Sequence, residues 1–159
     1  MKIWPICRKN REMSEPEVRE LLRKGDWGVL ATVDVDGSPY GVPLNYAFDE
    51  PAGTLVFHGA REGRKWTWSC PEPEACFTVV AKSEILAGQF TTAYASVMVF
   101  GTLSRVDDEA LALKALRLLA GRCQPDGADI EKYLTQARER TAVVLLKIQA
   151  ISGKRRERR

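Results

Sequence analysis

A succession of short apolar segments rich in β-branched residues, separated by tight turns, is the feature that most constrains how this chain can fold. The turns carry glycine, proline and the Asp36-Gly37 step, which is typical of a hairpin. We predict six strands, at residues 27–33, 39–48, 54–58, 75–80, 96–101 and 141–148. Short strands joined in this way favour an antiparallel sheet closed into a barrel. Pro43, inside the second segment, predicts an edge strand or a bulge there.

Helical patterns flank the strands. Ser14 and Glu17 have the spacing of a capping box, which predicts an N-terminal helix at about residues 14–25. A short helix is predicted at residues 63–69, between the third and fourth strands. A helical insertion is predicted at about residues 107–140, before the last strand. The fold class is therefore mainly β with flanking helices.

Length and charge indicate the domain organisation. A chain of 159 residues has room for one domain, which we place at residues 1–153, followed by a basic tail at residues 154–159. The formal net charge is +3, and the tail alone carries five basic side chains and one acidic side chain. A basic run of this length without interleaved aromatic residues makes a weak nucleic-acid surface, so we expect no nucleic-acid partner.

Neither a membrane nor an export route is indicated by the sequence. No apolar run approaches the ~20 residues of a membrane span, and the first residues lack the apolar core of a signal peptide. The four cysteines, Cys7, Cys70, Cys76 and Cys123, form no C-x-x-C pair. We therefore expect reduced thiols, a cytoplasmic location and no metal, because a zinc site would need more than one histidine beside scattered thiols.

The segment at residues 57–65 is the strongest candidate for a binding site. It runs from a strand through a glycine-containing loop into a predicted helix start, where a backbone can approach a ligand closely. Arg64 and Lys65 place two cations at that start, so the segment predicts a phosphate site. It is not a P-loop, because Trp66 stands where a magnesium-binding Ser or Thr would be. An ordinary solvated basic turn remains the alternative.

Three stretches together resemble the FMN-binding split-barrel superfamily, which includes pyridoxamine 5′-phosphate oxidase, and most closely its nitroimidazole-resistance (Nim-like) branch. The first is residues 28–32 followed by 36–46, the second is residues 57–60 with 62–65 and then 76–80, and the third is residues 94–101. Their order and spacing carry the resemblance, which extends over nearly the whole chain. It implies a six-stranded antiparallel split β-barrel of the FMN-binding type.

The resemblance also implies a cofactor site. Its phosphate clamp falls on Gly63, Arg64 and Lys65, and the flavin ring lies along residues 42–45. His58 is then the candidate catalytic residue beside the flavin, and Ser96 takes the place of a cross-subunit glutamine, which implies a homodimer with flavin at the interface. The implied cofactor-binding residues are Val42, Pro43, Leu44, Asn45, Phe57, His58, Gly59, Ala60, Gly63, Arg64, Lys65 and Ser96.

The implied function is that of a flavin-dependent oxidoreductase acting on small molecules. FMN is the expected cofactor, with FAD as the alternative because it carries the same clamped phosphate. Reduced nicotinamide, NAD(P)H, is the expected electron donor. The substrate-binding arginines of the oxidase have no counterpart here, which argues against oxidation of vitamin B6. A flavin or haem binder without turnover, serving as a carrier or sensor, is the alternative function.

Overall fold

The strands form one antiparallel sheet, as seen in a computed structural model that describes residues 5–68, 70–123 and 129–158. Its seven strands are β1 (Trp27–Val33), β2 (Pro39–Asn45), β3 (Ala47–Asp49), β4 (Thr54–Ala60), β5 (Glu74–Leu86), β6 (Thr91–Arg105) and β7 (Thr141–Arg156). They lie in the order β2-β1-β5-β6-β7-β4-β3. Residues 1–4, 69, 124–128 and 159, which fall in the predicted domain, its helices and its tail, lie outside the described residues.

The predicted fold class is confirmed, but the expected second strand is divided in two. Residues 39–48 form β2 and β3, which are the two opposite edges of the sheet although only Tyr46 separates them in the chain. The sheet must therefore curl until its edges meet, as in a split barrel. Tyr46 is buried, and its hydroxyl donates to the Leu22 carbonyl oxygen at 2.7 Å, which fixes the bend. Pro43 lies in the edge strand β2, where a missing N–H costs least.

Strands β5 and β6 are much longer than the segments predicted at 75–80 and 96–101. They pair continuously from Glu74 opposite Thr102 to Leu86 opposite Thr91, with a register shift between Val80 and Lys82. The added residues include polar and exposed side chains, so no apolar pattern marked them as strand.

The C-terminal strand also runs further than predicted. β7 continues to Arg156, and Lys154 and Arg156 pair with Ser96 and Tyr94 of β6. Residues 154–156, predicted as part of a basic tail, are therefore part of the sheet. Alternation alone could not show this, because basic side chains on a sheet surface resemble a solvated tail.

The helices lie close to their predicted positions, with one exception. α1 spans Glu15–Lys24, and the Glu17 carboxylate accepts hydrogen bonds from the Ser14 N–H at 2.8 Å and from its hydroxyl at 2.7 Å. The insertion contains α2 (Glu109–Cys123) and α3 (Ile130–Ala137). The helix predicted at 63–69 is wrong.

A single 3-10 turn, Arg64–Trp66, stands in place of that helix. After this turn, Trp68 forms a bridge with Asp34 and draws the chain into an extended course. The turn is too short to carry a helix macrodipole. Anion binding there would rest on side chains and local N–H groups.

The core has two parts on opposite sides of the sheet. The barrel interior is filled by fully buried side chains such as Leu30, Phe57 and Phe77, and α1 adds Leu22. A second cluster packs α2 and α3 against the outer face of β3, β4 and β7, where Val56 is buried. No helix in the described residues is long and apolar enough to cross a membrane. The two cores together hold β4 in place, and with it the loop that follows.

Candidate functional site

Asp34 organises the loop that follows β4. Its carboxylate accepts hydrogen bonds from Arg64 Nε at 3.0 Å, from Thr67 Oγ1 at 2.8 Å and from the backbone N–H of Val35 at 2.8 Å. The Thr67 bond, the Val35 bond and the Arg64 bond hold the pKa of this carboxyl below its ordinary value. Only 11% of the Asp34 side chain is exposed. Its charged carboxylate connects the β1–β2 turn to the basic loop through the bonds to Arg64 and Thr67.

Arg64 is held in place from two directions. Besides its bond to Asp34, its guanidinium lies 4.8 Å from the ring centroid of Tyr40, at cation–π distance. The side chain nevertheless remains 56% exposed. A fixed guanidinium with an exposed surface suits the recognition of an anion, because little rotamer entropy is lost on binding.

Lys65 lies across the backbone of Gly59. A Cβ at position 59 would sit 2.5 Å from Lys65 Cε and 2.9 Å from its Nζ, so a side chain at position 59 would displace the lysine. The ammonium lies 5.4 Å from the Trp66 ring centroid. Within the part of the chain that the structure describes, no carboxylate pairs with Lys65. Its charge is therefore available to a ligand.

His58 precedes this glycine on β4 and lies opposite Val143 of β7. Partial burial, and then the neighbouring positive charge of Lys65, lower the pKa of the imidazole below its ordinary value of 6.5. The ring is accordingly neutral at neutral pH, with one nitrogen that donates and one that accepts.

Two tryptophans brace the loop from the barrel side. Trp66 Nε1 donates to the Ala60 carbonyl at 2.6 Å, and Trp68 Nε1 donates to the Lys65 carbonyl at 3.2 Å. Their rings meet edge to face at 6.1 Å and pack against the barrel core. Gly63 begins the 3-10 turn with φ +127°, which favours glycine, and nothing lies within 4 Å of the position of a Cβ there. The loop is thus rigid on its inner side and open at Gly63.

The predicted ring-binding strand presents two different sides. Val42 and Leu44 are half-buried against the barrel core, whereas Pro43 and Asn45 are exposed on the outer side. The Asn45 side-chain amide donates to the Asp26 carbonyl at 3.0 Å. A flat ligand along β2 would therefore meet its backbone edge and the outer face, and the side chains of Pro43 and Leu44 point to opposite sides of the strand.

Not every predicted site residue belongs to this cluster. The structure brings His58, Gly59, Arg64 and Lys65 together around the loop. The Phe57 side chain instead is fully buried in the core, with its ring centroid 4.9 Å from that of Phe77. Ser96 pairs with Lys154 near the far end of β7, whereas His58 is opposite Val143 near its start. Within one chain, Ser96 lies outside the cluster.

Sequence reasoning missed Asp34, Tyr40 and Thr67 as parts of the site. In the sequence, Asp34 falls only between the strands predicted at 27–33 and 39–48, and Thr67 falls inside the helix predicted at 63–69. The signal that could have found them is the carboxylate of Asp34 at the start of a β-turn, because the loop with Arg64 and Lys65 offers it a basic partner. That signal is weak, because turn aspartates usually serve their own turn.

Comparisons with solved structures place the fold among known ones. A candidate 5-nitroimidazole antibiotic resistance protein from Bacteroides thetaiotaomicron is 19% identical, with a TM-score of 0.74 over 90% of this chain and 85% of that chain. The flavocytochrome Anf3 from Azotobacter vinelandii is 22% identical, with a TM-score of 0.73 over 97% and 73%. An FAD and heme binding protein from Mycobacterium smegmatis is 22% identical, with a TM-score of 0.70 over 93% and 74%.

The family follows from the sequence itself. A search of curated proteins found no match. The family model described as pyridoxamine 5′-phosphate oxidase matches residues 14–155, which is most of the chain and includes every strand but the last residue of β7. The resemblance identified from the three stretches is thereby confirmed. This chain belongs to the pyridoxamine 5′-phosphate oxidase family of split barrels.

Proposed function

We propose that this chain is a homodimeric flavoprotein that binds FMN and reduces small molecules with electrons from reduced nicotinamide. The observation that carries the proposal is the pair Arg64 and Lys65, one fixed by Asp34 and the other without a carboxylate partner among the described residues. The names of two similar structures, a flavocytochrome and an FAD and heme binding protein, support a flavin as the ligand of this fold.

The residues present fit such a cofactor. A phosphate monoester carries close to two negative charges at neutral pH, and it would bind the Lys65 ammonium together with the exposed Arg64 guanidinium, which shares its charge with Asp34. The exposed outer side of β2 and its backbone offer a surface for a flat ring. When bound, the flavin would supply hydride and electron transfer.

His58 has a separate role in the proposal. Its neutral ring can hold a hydrogen bond to a ligand or pass a proton at one nitrogen, because partial burial and then the charge of Lys65 disfavour the imidazolium form. Lys65 would thus act on both the phosphate and the histidine. The three free cysteines exposed to solvent, Cys7, Cys70 and Cys123, suit a reducing compartment, which agrees with the proposed cytoplasmic location.

A homodimer is proposed from the outer face of the sheet. Val29, Thr78 and Met98 lie opposite one another across β1, β5 and β6, and Val29 and Met98 are 38% and 41% exposed. Val80 on the same face is 51% exposed. A row of exposed apolar residues on a sheet face is typical of an interface, and a second copy would bury it.

Analytical ultracentrifugation tests the dimer. The wild-type protein should sediment as a dimer, and Met98→Lys should sediment as a monomer. Leu118→Lys, on the equally exposed position 118 of α2, serves as the matched control and should leave the dimer intact. A wild-type protein that sediments as a monomer at all concentrations would contradict this part of the proposal.

A spectrum of the purified protein tests the flavin. We expect flavin absorbance, with FMN as the mass of the released cofactor. The Arg64→Gln variant should bind added FMN about 10–100-fold more weakly, while its affinity for riboflavin, which has no phosphate, should stay unchanged. Lys147→Gln removes one exposed charge elsewhere on the sheet and should bind FMN like the wild type. A colourless protein that does not bind added FMN would overturn the proposal.

A flavin or haem binder without turnover is the second candidate function. The observation in its favour is His58, whose neutral imidazole is also the form that ligates haem iron. Stopped-flow mixing with reduced nicotinamide separates the two functions. Rapid reduction of the bound flavin, followed by reoxidation by a small-molecule acceptor, supports the enzyme. Reduction that is slow for every donor, or a haem spectrum lost in His58→Ala, supports the binder.

A further inference from the structure

A basic cleft lies at the end of the molecule opposite the loop of Arg64. It is a cavity of about 450 Å³ between the N-terminal 3-10 turn Lys9–Arg11 and the end of β7. This volume is within the range of small-molecule sites. The cleft is lined by Asn10, Arg11, Arg155, Arg156, Glu157 and Arg158.

The walls of the cleft are fixed to each other by the backbone. The N–H of Met13 donates to the Gly153 carbonyl at 2.9 Å, and Glu12 forms a bridge with Lys154. At Gly153 the two segments are in such close contact that a Cβ would lie 3.2 Å from Met13 Cβ. The N-terminal wall therefore has a defined position relative to β7, and the cleft is a built feature of the fold.

The positive charge of the cleft is only partly neutralised. Arg155 pairs with Glu17 and lies 3.5 Å from the Glu157 carboxylate. Arg158 lies 3.4 Å from Glu84. These two arginines therefore have acidic partners.

Arg11 and Arg156 differ from Arg155 and Arg158 in their ion pairing. Both are half-buried, and neither has a carboxylate partner among residues 5–68, 70–123 and 129–158. Arg156 donates to the Thr91 hydroxyl, which orients its guanidinium without neutralising it. Two partly desolvated cations that share one cavity are costly for the fold unless an anion joins them.

We propose that this cleft binds a small anion that carries at least two linked phosphate groups, such as inorganic pyrophosphate or the phosphate chain of a nucleotide. Two guanidiniums can each grip one phosphate in bidentate fashion, so a chain of two phosphates can engage Arg11 and Arg156 together. The cleft is half-open and only six of the described residues line it, so it suits a small ligand better than a nucleic acid, which would require an extended basic surface. Within one chain the cleft is separate from the loop of Arg64 and Lys65, because His58 and Arg156 lie beside opposite ends of β7.

Isothermal titration calorimetry with inorganic pyrophosphate tests the proposal. The wild-type protein should bind it, and Arg11→Gln and Arg156→Gln should each weaken binding about tenfold or more. Glu157→Gln removes a repulsive carboxylate from the wall and should tighten binding several-fold. This gain cannot result from misfolding. Lys147→Gln, with the same loss of charge outside the cleft, should bind pyrophosphate like the wild type.

Two further titrations distinguish the ligand and the site. Tripolyphosphate should bind at least as tightly as pyrophosphate, and both more tightly than sulfate. Arg64→Gln should lose FMN affinity without any change in pyrophosphate affinity. The two sites are thus tested separately, and failure of the flavin proposal would not affect the proposal of a phosphate cleft. Unchanged binding in both Arg11→Gln and Arg156→Gln, or no binding by the wild type, would overturn the proposal. Tighter binding of duplex DNA than of tripolyphosphate through the same arginines would overturn the choice of a small ligand.

Discussion

The carboxylate of Asp34 binds the Nε–H of Arg64 at 3.0 Å across 30 positions of the chain, and so joins the first turn of the sheet to its basic loop. The same carboxylate also holds Thr67, on the other side of the 3-10 turn. Arg64 and the loop backbone therefore depend on a residue that contacts no proposed ligand itself.

Asp34→Asn should lower the thermal unfolding midpoint at neutral pH, because a neutral amide accepts these hydrogen bonds less strongly. The pKa of Asp34 is lowered in the folded protein, so its contribution is present above the ordinary value of 3.8 and is lost as the pH falls through the folded value. The midpoints of the two proteins should thus converge in acid. Asp107→Asn, an exposed change, is the control. Equal midpoints of the wild type and Asp34→Asn at neutral pH would contradict this role.

His58 should titrate below its ordinary pKa of 6.5, first because it is partly buried and second because Lys65 is close. Lys65→Gln should raise the pKa of His58 part of the way back, since the burial remains. The imidazole resonances can be followed by NMR without assignment, because His58 is the only histidine. Arg64→Gln should leave the pKa unchanged. The proximity of Lys65 would be refuted if its removal left the titration curve where it was.

The pH dependence of the free energy of unfolding should also reflect the titration of His58. Since the fold disfavours protonated His58, the free energy of unfolding should decline as the pH drops below 6.5 towards the folded pKa. Chemical denaturation of the wild type and His58→Gln at several pH values measures this. Between neutral pH and the folded pKa, the free energy of unfolding should decline less steeply in His58→Gln than in the wild type. Parallel curves for the two proteins would contradict a lowered pKa of His58.

Replacement of Gly101 and of Gly121 by alanine should change the stability of the protein in opposite directions. At Gly101, beside the register shift between β6 and β7, a Cβ would lie 2.0 Å from the Lys147 carbonyl oxygen. Gly101→Ala should therefore destabilise the protein by about 3 kcal/mol. Gly121 in α2 has nothing within 4 Å of its Cβ position, so Gly121→Ala should stabilise the protein by about 0.5–1 kcal/mol. Urea denaturation measures both, and a tolerated alanine at 101 would contradict the close approach.

Tyr46→Phe should cost about 1–2 kcal/mol of stability, because the buried hydroxyl bond to the Leu22 carbonyl is lost at the bend between β2 and β3. The burial of this phenol also raises its pKa well above the ordinary value. Tyr40→Phe, whose hydroxyl makes no hydrogen bond to any described residue, is the matched control and should be neutral. Similar stabilities for the two variants in urea would show that the bend does not depend on this bond.

Much of the fold was predictable from local patterns, and the remainder depends on distant partners. The apolar content of residues 27–33 and the Asp36-Gly37 turn predicted β1 and its hairpin. No local signal marked the break at Tyr46, because that break arises from the curl of the complete sheet. Strand residues beyond Val80 were missed because their exposed side chains lack an apolar pattern.

In the candidate site, too, some residues could be predicted from local sequence and others depend on distant partners. Arg64 and Lys65 stood out because glycines and cations adjoin a strand end. Asp34 and Tyr40 could not be assigned to them, since only the folded sheet brings the β1–β2 turn to the loop after β4. The helix predicted at 63–69 was wrong for a related reason. The bonds from Thr67 and Trp68 to the Asp34 segment outweigh local helix propensity.

The position of β7 between β6 and β4 has a consequence for biosynthesis. β4 is complete by Ala60 and can pair with β3 at once, but its second partner, β7, begins only at Thr141. A growing polypeptide therefore exposes unpaired edges of β4 and β6 until its last strand is made, and closing so large a loop is slow. These edges stay open to aggregation from the synthesis of Ala60 until that of Thr141, and a chain released before Thr141 would lack the strand that closes the barrel.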